Sequence, residues 1–310
     1  MESRRVRLFV PILVLTLASM ARAQARNPAA QPDARVAELR AKLTRQLRQI
    51  GGEFDGVLGM AVKDLTSGEM FEANADTLFP QASSIKLPIL IALYQQAQAD
   101  GLRLRERIEV KRAQMVGGSG VVQHFGDATS ALSLGDLAVL MIVLSDNTAT
   151  NVLIDRLGMD KVNDFLKRQG LTETHLQRRM MDLEAQRAGR ENLSTPREMV
   201  ALLEQLYQGK LLDPAHTAAV LEILKYRKST PLRRGLPENV ELADKPGELE
   251  GVRCDSGVVL LAGRPYAIAV MTTYVKENES AERAISEISR LAFGYFERLT
   301  RSNPEGARRP

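Results

Sequence analysis

The chain has 310 residues, 44% hydrophobic and 26% charged, ordinary proportions for a folded protein with interior enough for one large domain or two modest ones, which excludes disorder and collagen-like repeats. Aromatic residues make up only 5% and tryptophan is absent, which argues against a surface that stacks sugars or single-stranded bases. The pI of 9.2 and net charge of +4 are misleading. Four arginines against one glutamate in residues 1–23 hold +3 of that charge, and with the rest at +1 a nucleic-acid partner loses its main support.

Those first residues read as a secretory signal peptide over 1–23. A basic stretch, MESRRVR, precedes thirteen residues of apolar sequence, and Ala21-Arg22-Ala23 puts small residues at a signal-peptidase exit. The apolar run is short of the roughly 20 residues that span a bilayer, and no cysteine follows it to carry a lipid. The expectation is a periplasmic or secreted protein with no stable membrane anchor after cleavage. Cys254 is the only cysteine, so no intrachain disulfide is expected, and it reads as a packed strand residue. Residues 24–32 form a tether. Apolar residues at helical spacing predict a helix over 33–50, stopped by Gly51-Gly52. A buried strand over 56–62, a turn at Thr66-Ser67-Gly68 and a strand over 69–73 make a hairpin. Helices follow over 84–99, 133–144, 148–157, 161–169, 195–206 and 214–224. Apolar strands over 257–262 and 266–274 and a helix over 280–299 close the chain, leaving a loose tail over 301–310. This order predicts an α+β fold: a mostly antiparallel sheet flanked by the terminal helices, with an all-helical part, about 75–225, inserted between early and late strands of one domain over 33–300.

Much common chemistry is missing. His124, His175 and His216 are scattered without metal-ligand spacing, and there is neither a Gly-rich phosphate loop nor a G-x-S-x-G elbow. No metal or other cofactor is expected. What stands out is Ser83-Ser84-Ile85-Lys86, with Lys86 one helical turn from Ser83. A serine hydroxyl needs a base to attack a carbonyl, and a lysine of lowered pKa can be that base. The plain alternative is an N-capping serine and a solvated lysine. Further on, an apolar helix ends in Ser145-Asp146-Asn147, which puts hydroxyl and amide groups at a cleft, with Asp146 equally suited to cap the next helix. Leu242-Ala243-Asp244-Lys245-Pro246-Gly247 reads as an edge strand with its lysine facing outward.

With these residues in this order, the sequence resembles the class A β-lactamases and their serine-hydrolase relatives, which use S-x-x-K, S-D-N and K-T-G. The resemblance implies a β-lactamase/transpeptidase-like fold and a small-molecule β-lactam or peptidoglycan-like substrate. It implies Ser83 as acylated nucleophile, Lys86 as its base or proton relay, and Ser145 as proton donor to the leaving nitrogen. Asn147 would hold Lys86 and the substrate amide, and Lys245 would attract the substrate carboxylate. The N–H groups of Ser83 and of Glu248, the residue after Gly247, would form the oxyanion hole. Arg253 resembles a second carboxylate anchor, with a solvated arginine as the alternative. Two departures stand out. Pro246 replaces the hydroxyl residue between Lys245 and Gly247 and removes an edge N–H. Aligning the omega loop on Arg178 puts Met180 where the family has the glutamate that activates water; Asp182 or Glu184 could replace it only in a shifted loop. The leading expectation is a β-lactamase acting through acyl-Ser83. The others are a D-Ala-D-Ala-type peptidase or esterase with the same nucleophile, and an idle or slow-turnover penicillin-binding protein.

Overall fold

The computed structural model describes residues 34–99, 101–126, 131–303 and 306–308; the signal peptide and tether lie outside the described residues. Helix α1 (Ala34–Glu53) is followed by β1 (Val57–Asp64), β2 (Met70–Ala73) and β3 (Phe79–Pro80). A 3-10 turn (Ala82–Ile85) then leads into α2 (Lys86–Gln98). The middle of the chain holds β4 (Arg107–Glu109), β5 (Ala131–Ser133), α3 (Leu134–Val143), α4 (Asn147–Leu157), α5 (Met159–Arg168), α6 (Leu183–Arg187) and β6 (Leu193–Ser194). After α7 (Pro196–Tyr207), α8 (Pro214–Lys225) and α9 (Pro231–Arg234) come β7 (Leu242–Leu249), β8 (Val252–Val259), β9 (Tyr266–Thr273) and α10 (Asn278–Arg301).

The expected architecture is present, except that the inserted part is not all-helical: it also holds the short two-stranded ladders β3–β6 and β4–β5. Five strands form one antiparallel sheet in the order β2-β1-β9-β8-β7, and the helices α2–α9 fall between β2 and β7. Successive strand residues point to opposite faces, so each strand feeds two cores. Met60, Val62, Ile268 and Val270 pack with Leu43 and Leu47 of α1 and Ile285, Ile288 and Phe296 of α10. Ala61, Ala267, Ala269 and Met271 belong to the second core, with α2, α3 and α7. Helix α2 is buried from Lys86 to Tyr94, as expected for a helix apolar all round.

Two boundaries and one side-chain placement differ from expectation. Helix α1 passes through Gly51 and Gly52 to Glu53, because Ile50 and Phe54 still pack on the α1–α10 core and outweigh the roughly 1 kcal/mol disadvantage of each glycine. Strand β8 starts at Val252 rather than 257, since Arg253, Asp255 and Ser256 are buried within it and hide it from a hydrophobicity pattern. Lys245 does not face outward: β7 is an edge strand, but the lysine is only 1% exposed. Beyond α10, the expected loose tail carries one isolated antiparallel bridge, Ser302 to Arg308.

Candidate active site

Edge strand β7 lies against the 3-10 turn, and the α3–α4 connection closes in from the helical side. Ser83 sits in the turn, not in an α-helix, and is not an N-cap: that position is Gln81 for the turn and Ile85 for α2. Helix α2 starts at Lys86, whose fully buried amine is the hub of the site. Lys86 Nζ lies 3.1 Å from Ser83 Oγ, 3.1 Å from Ser145 Oγ, 2.6 Å from the Ser145 carbonyl and 2.8 Å from Asn147 Oδ1. Lys245 Nζ reaches Ser145 Oγ from the opposite side at 3.2 Å and the Pro246 carbonyl at 2.9 Å. Two hydroxyls and two amines therefore alternate in one chain: Ser83, Lys86, Ser145, Lys245.

Burial, then the positive charge of Lys245, holds Lys86 well below the ordinary lysine range, against the opposing pull of Asp146. Burial brings Lys245 down to about 8. An amine so placed gives up its proton more readily than an ordinary lysine. Its lone pair can then accept the Ser83 proton while its N–H groups donate to the Ser145 carbonyl and Asn147 Oδ1.

Asp146 does the capping job anticipated for it. One carboxylate oxygen accepts the Ala149 N–H at 2.9 Å, at the start of α4. The other accepts the N–H groups of Val121 and Val122 at 2.6 and 2.9 Å. Asn147 donates from Nδ2 to the Gly117 carbonyl at 3.1 Å, and its own N–H donates to the Ser119 carbonyl at 3.0 Å. This clasp by Gly117-Gly118-Ser119-Gly120 was not singled out from the sequence, although such a glycine run signals an irregular loop. Gly120 (φ +107) is required: a Cβ there would lie 2.2 Å from Asp146 Oδ2.

Gly247 permits the contact between β7 and the turn. A Cβ on it would lie 2.5 Å from the Gln81 carbonyl and 2.9 Å from the Ser84 nitrogen. The Ser84 hydroxyl donates to the Lys245 carbonyl at 3.0 Å, tying turn to strand. Glu248 follows on the same strand and lines the cleft with Ser83. Arg253 lies opposite Glu248 on β8. It is not solvated: its guanidinium donates to Glu248 Oε1 at 2.6 Å and lies 3.4 Å from Glu282 Oε1.

The third wall of the cleft, which measures about 440 Å³, is the segment 174–192. Arg178 pairs with Glu191 through two bonds, at 2.9 and 3.0 Å. Asn192 Oδ1 accepts the N–H groups of Gln177 and Arg178. The Asn151 amide clamps the Met180 backbone, accepting its N–H at 2.8 Å and donating to its carbonyl at 3.0 Å. Met180, Met181, Leu183 and Gln186 thus line the cleft, whereas Asp182 and Glu184 do not. Asp182 is used to cap α6, accepting the Ala185 N–H at 2.9 Å. The shifted loop that would bring Asp182 or Glu184 to the cleft is not observed. Cys254 is buried behind the turn, its thiol 3.3 Å from the Gln81 carbonyl, and burial pushes it up to about 12, far from a reactive thiolate.

Comparison with known proteins places most of the chain. The sequence is 26% identical over 257 residues to β-lactamase SME-1 of Serratia marcescens, covering 80% of this chain and 87% of that protein. Among solved structures, PBP-A superposes with a TM-score of 0.77 at 28% identity, covering 83% of this chain and 96% of that one; a variant of PBP-A has been solved as an acyl-enzyme with penicillin G. A β-lactamase from Sphaerobacter thermophilus superposes at 0.73 with 31% identity, covering 83% and 96%. Residues 42–296 match the sequence model of the β-lactamase enzyme family. The chain belongs to the β-lactamase enzyme family, as a serine hydrolase of the class A β-lactamase and penicillin-binding-protein type.

Proposed function

We propose that the protein opens β-lactam amides through an acyl-enzyme on Ser83 and that hydrolysis of this intermediate limits turnover. The observation that carries the reading is the buried Lys86 amine, placed between Ser83 Oγ, Ser145 Oγ and Asn147 Oδ1. Neutral Lys86 takes the Ser83 proton as the oxygen attacks the lactam carbonyl. The developing oxyanion is met by the N–H groups of Ser83 and Glu248. The proton returns through Ser145 to the departing nitrogen, the C–N bond breaks, and the acyl group stays on Ser83. Lys245, about half protonated at pH 8, supports Ser145 and attracts a substrate carboxylate. Asn147 holds Lys86 and faces the substrate amide.

Slow release rests on the third wall. The family position for water activation is filled by Met180, whose thioether cannot take a proton. The glutamates that line the cleft, Glu248 and Glu282, are both engaged with Arg253. Met180 and the likeness to PBP-A favour, as second reading, a penicillin-binding protein or D-Ala-D-Ala-type peptidase working through the same acyl-serine. Export rests on the pattern of residues 1–23; among the described residues no helix is long and apolar enough to cross a membrane.

Intact-protein mass spectrometry with benzylpenicillin tests the nucleophile. One penicilloyl adduct is expected, located on Ser83, and Ser83→Ala should carry none while unfolding at nearly the wild-type temperature, since the hydroxyl caps no helix. An adduct on Ser83→Ala, or on another residue, overturns the assignment. A hydrolysis assay then separates the readings: slow steady release of penicilloate supports the first, and peptide cleavage without it supports the second. N-terminal sequencing of exported protein should begin near Gln24.

A further inference from the structure

The end of the cleft beside Lys245 has an unusual charge arrangement. Arg253 is 6% exposed, and four of its five N–H directions are taken. NH1 donates to the carbonyls of Leu249 and Val252 at 3.0 and 2.9 Å. Nε points to Glu282 Oε1 at 3.4 Å, and NH2 donates to Glu248 Oε1 at 2.6 Å. Glu282 is shared, since its other oxygen accepts from Arg234 at 2.8 Å. Two arginines and two glutamates therefore compensate one another along this wall. Glu248 is the exposed member, with 70% of its side chain open to solvent, and it stands opposite Arg253 in the β7–β8 register.

A guanidinium already held by carboxylates has little left to give an arriving carboxylate, and an exposed glutamate at the mouth repels it. Pro246, next to Lys245, offers neither a side-chain hydroxyl nor an N–H in compensation. We propose that Glu248 is a specificity-determining residue: its side-chain carboxylate occupies Arg253 and offsets the attraction of Lys245 for a ligand carboxylate, so that ligands uncharged or cationic at this end of the cleft gain relative to those bearing a carboxylate there. This names the substrate class of the acyl-Ser83 reading and rests on it, although the contact itself can be tested without acylation.

The experiment compares benzylpenicillin, its uncharged methyl ester and its cationic diethylaminoethyl ester. Second-order acylation rates are read by intact mass for the wild type, E248Q and E248A. The carboxylate-to-methyl-ester ratio should rise about fivefold in both variants, the size of an exposed ion-pair contribution. The cationic-to-methyl-ester ratio should fall. In parallel, titration of intact benzylpenicillin into Ser83→Ala and into the double variant carrying E248Q should show about fivefold tighter binding in the latter. Unchanged or reversed ratios, or equal dissociation constants, overturn the proposal. Tighter binding in the double variant without any adduct on the wild type would uphold Glu248 and overturn acyl-Ser83 instead.

Discussion

Replacing Gly247 by alanine is a direct test of how the site is held together. The new methyl would lie 2.5 Å from the Gln81 carbonyl, 2.9 Å from the Ser84 nitrogen and 3.0 Å from Ser84 Oγ, whereas ordinary contact begins near 3.4 Å. Two of those atoms are backbone of the turn that carries Ser83, so no side-chain rotation relieves the clash. Strand and turn must part by about 0.9 Å at the closest point, the difference between 3.4 and 2.5 Å. The Ser84–Lys245 hydrogen bond of 3.0 Å lengthens or breaks, and the N–H groups of Ser83 and Glu248, proposed above as the oxyanion donors, move apart. A misplacement of about 1 Å costs about 10²-fold in rate, close to the 10²–10³-fold loss typical when one oxyanion donor is removed. The overpacking itself costs about 1–3 kcal/mol, so the protein remains folded with a lowered unfolding temperature. Acylation of Gly247→Ala by benzylpenicillin, followed by intact mass alongside thermal unfolding, should therefore slow by about 10²-fold. A Gly247→Ala protein acylated within about threefold of wild type would refute the reasoning, because the two donors would then not depend on this approach.

Met180→Glu should shorten the acyl-enzyme lifetime, toward the 10²–10⁴-fold range of general-base assistance, while Asp182→Asn and Glu184→Gln should leave it unchanged; stopped-flow with a chromogenic cephalosporin reads both, and a longer lifetime in either amide variant would contradict the placement of the loop. Acylation by the anionic penicillin should fall as pH rises through about 8, where Lys245 loses its proton, and a pH profile flat from 7 to 9 would contradict that role. The same lysine affects stability. Its folded pKa is depressed from 10.5 to about 8, so between these values the unfolded chain binds more protons and its contribution to stability rises with pH. Below pH 8 the full disadvantage applies, on the order of 3 kcal/mol at 1.36 kcal/mol per unit. Urea unfolding of Lys245→Met across pH 7–10 should show a smaller rise than wild type.

The parts of the site legible in the sequence were those carried by short spacings. Ser83 and Lys86 lie one turn apart, and Ser145-Asp146-Asn147 is a consecutive run, so local geometry alone brings their side chains together in a predictable way. The links between these pieces were not local. Lys86 meets Ser145 across 59 positions and Lys245 meets Ser145 across 100, and only the family order suggested either contact. Burial was harder to anticipate. A charged residue on an edge strand reads as solvated, yet Lys245 is covered because the 3-10 turn and the α3–α4 connection close over it. Arg253 and Asp255 lie inside β8 for a related reason. Arg253 is held by carbonyls and carboxylates, and Asp255 accepts the Leu232 N–H at 2.9 Å. A strand that buries polar residues on both faces shows no alternation to read.

Backbone strain follows the same division. Among the described residues, five that are not glycine have positive φ: Asn74, Ala82, Ser145, Met181 and Tyr274. Three of them, Ala82, Ser145 and Met181, line the cleft, although each such conformation costs on the order of 1–3 kcal/mol. Ala82 turns the chain into the 3-10 segment that presents Ser83, Ser145 aims its hydroxyl between two lysines, and Met181 follows the residue that Asn151 clamps. Two buried amines joined through one hydroxyl add a further unfavourable term, since burial disfavours the charged form of each. The unstrained remainder must offset these costs, and it consists of two apolar cores pressed on opposite faces of one sheet. Catalytic geometry here is concentrated at the seam where sheet edge and helical region meet, which is the place least determined by either element's own sequence pattern.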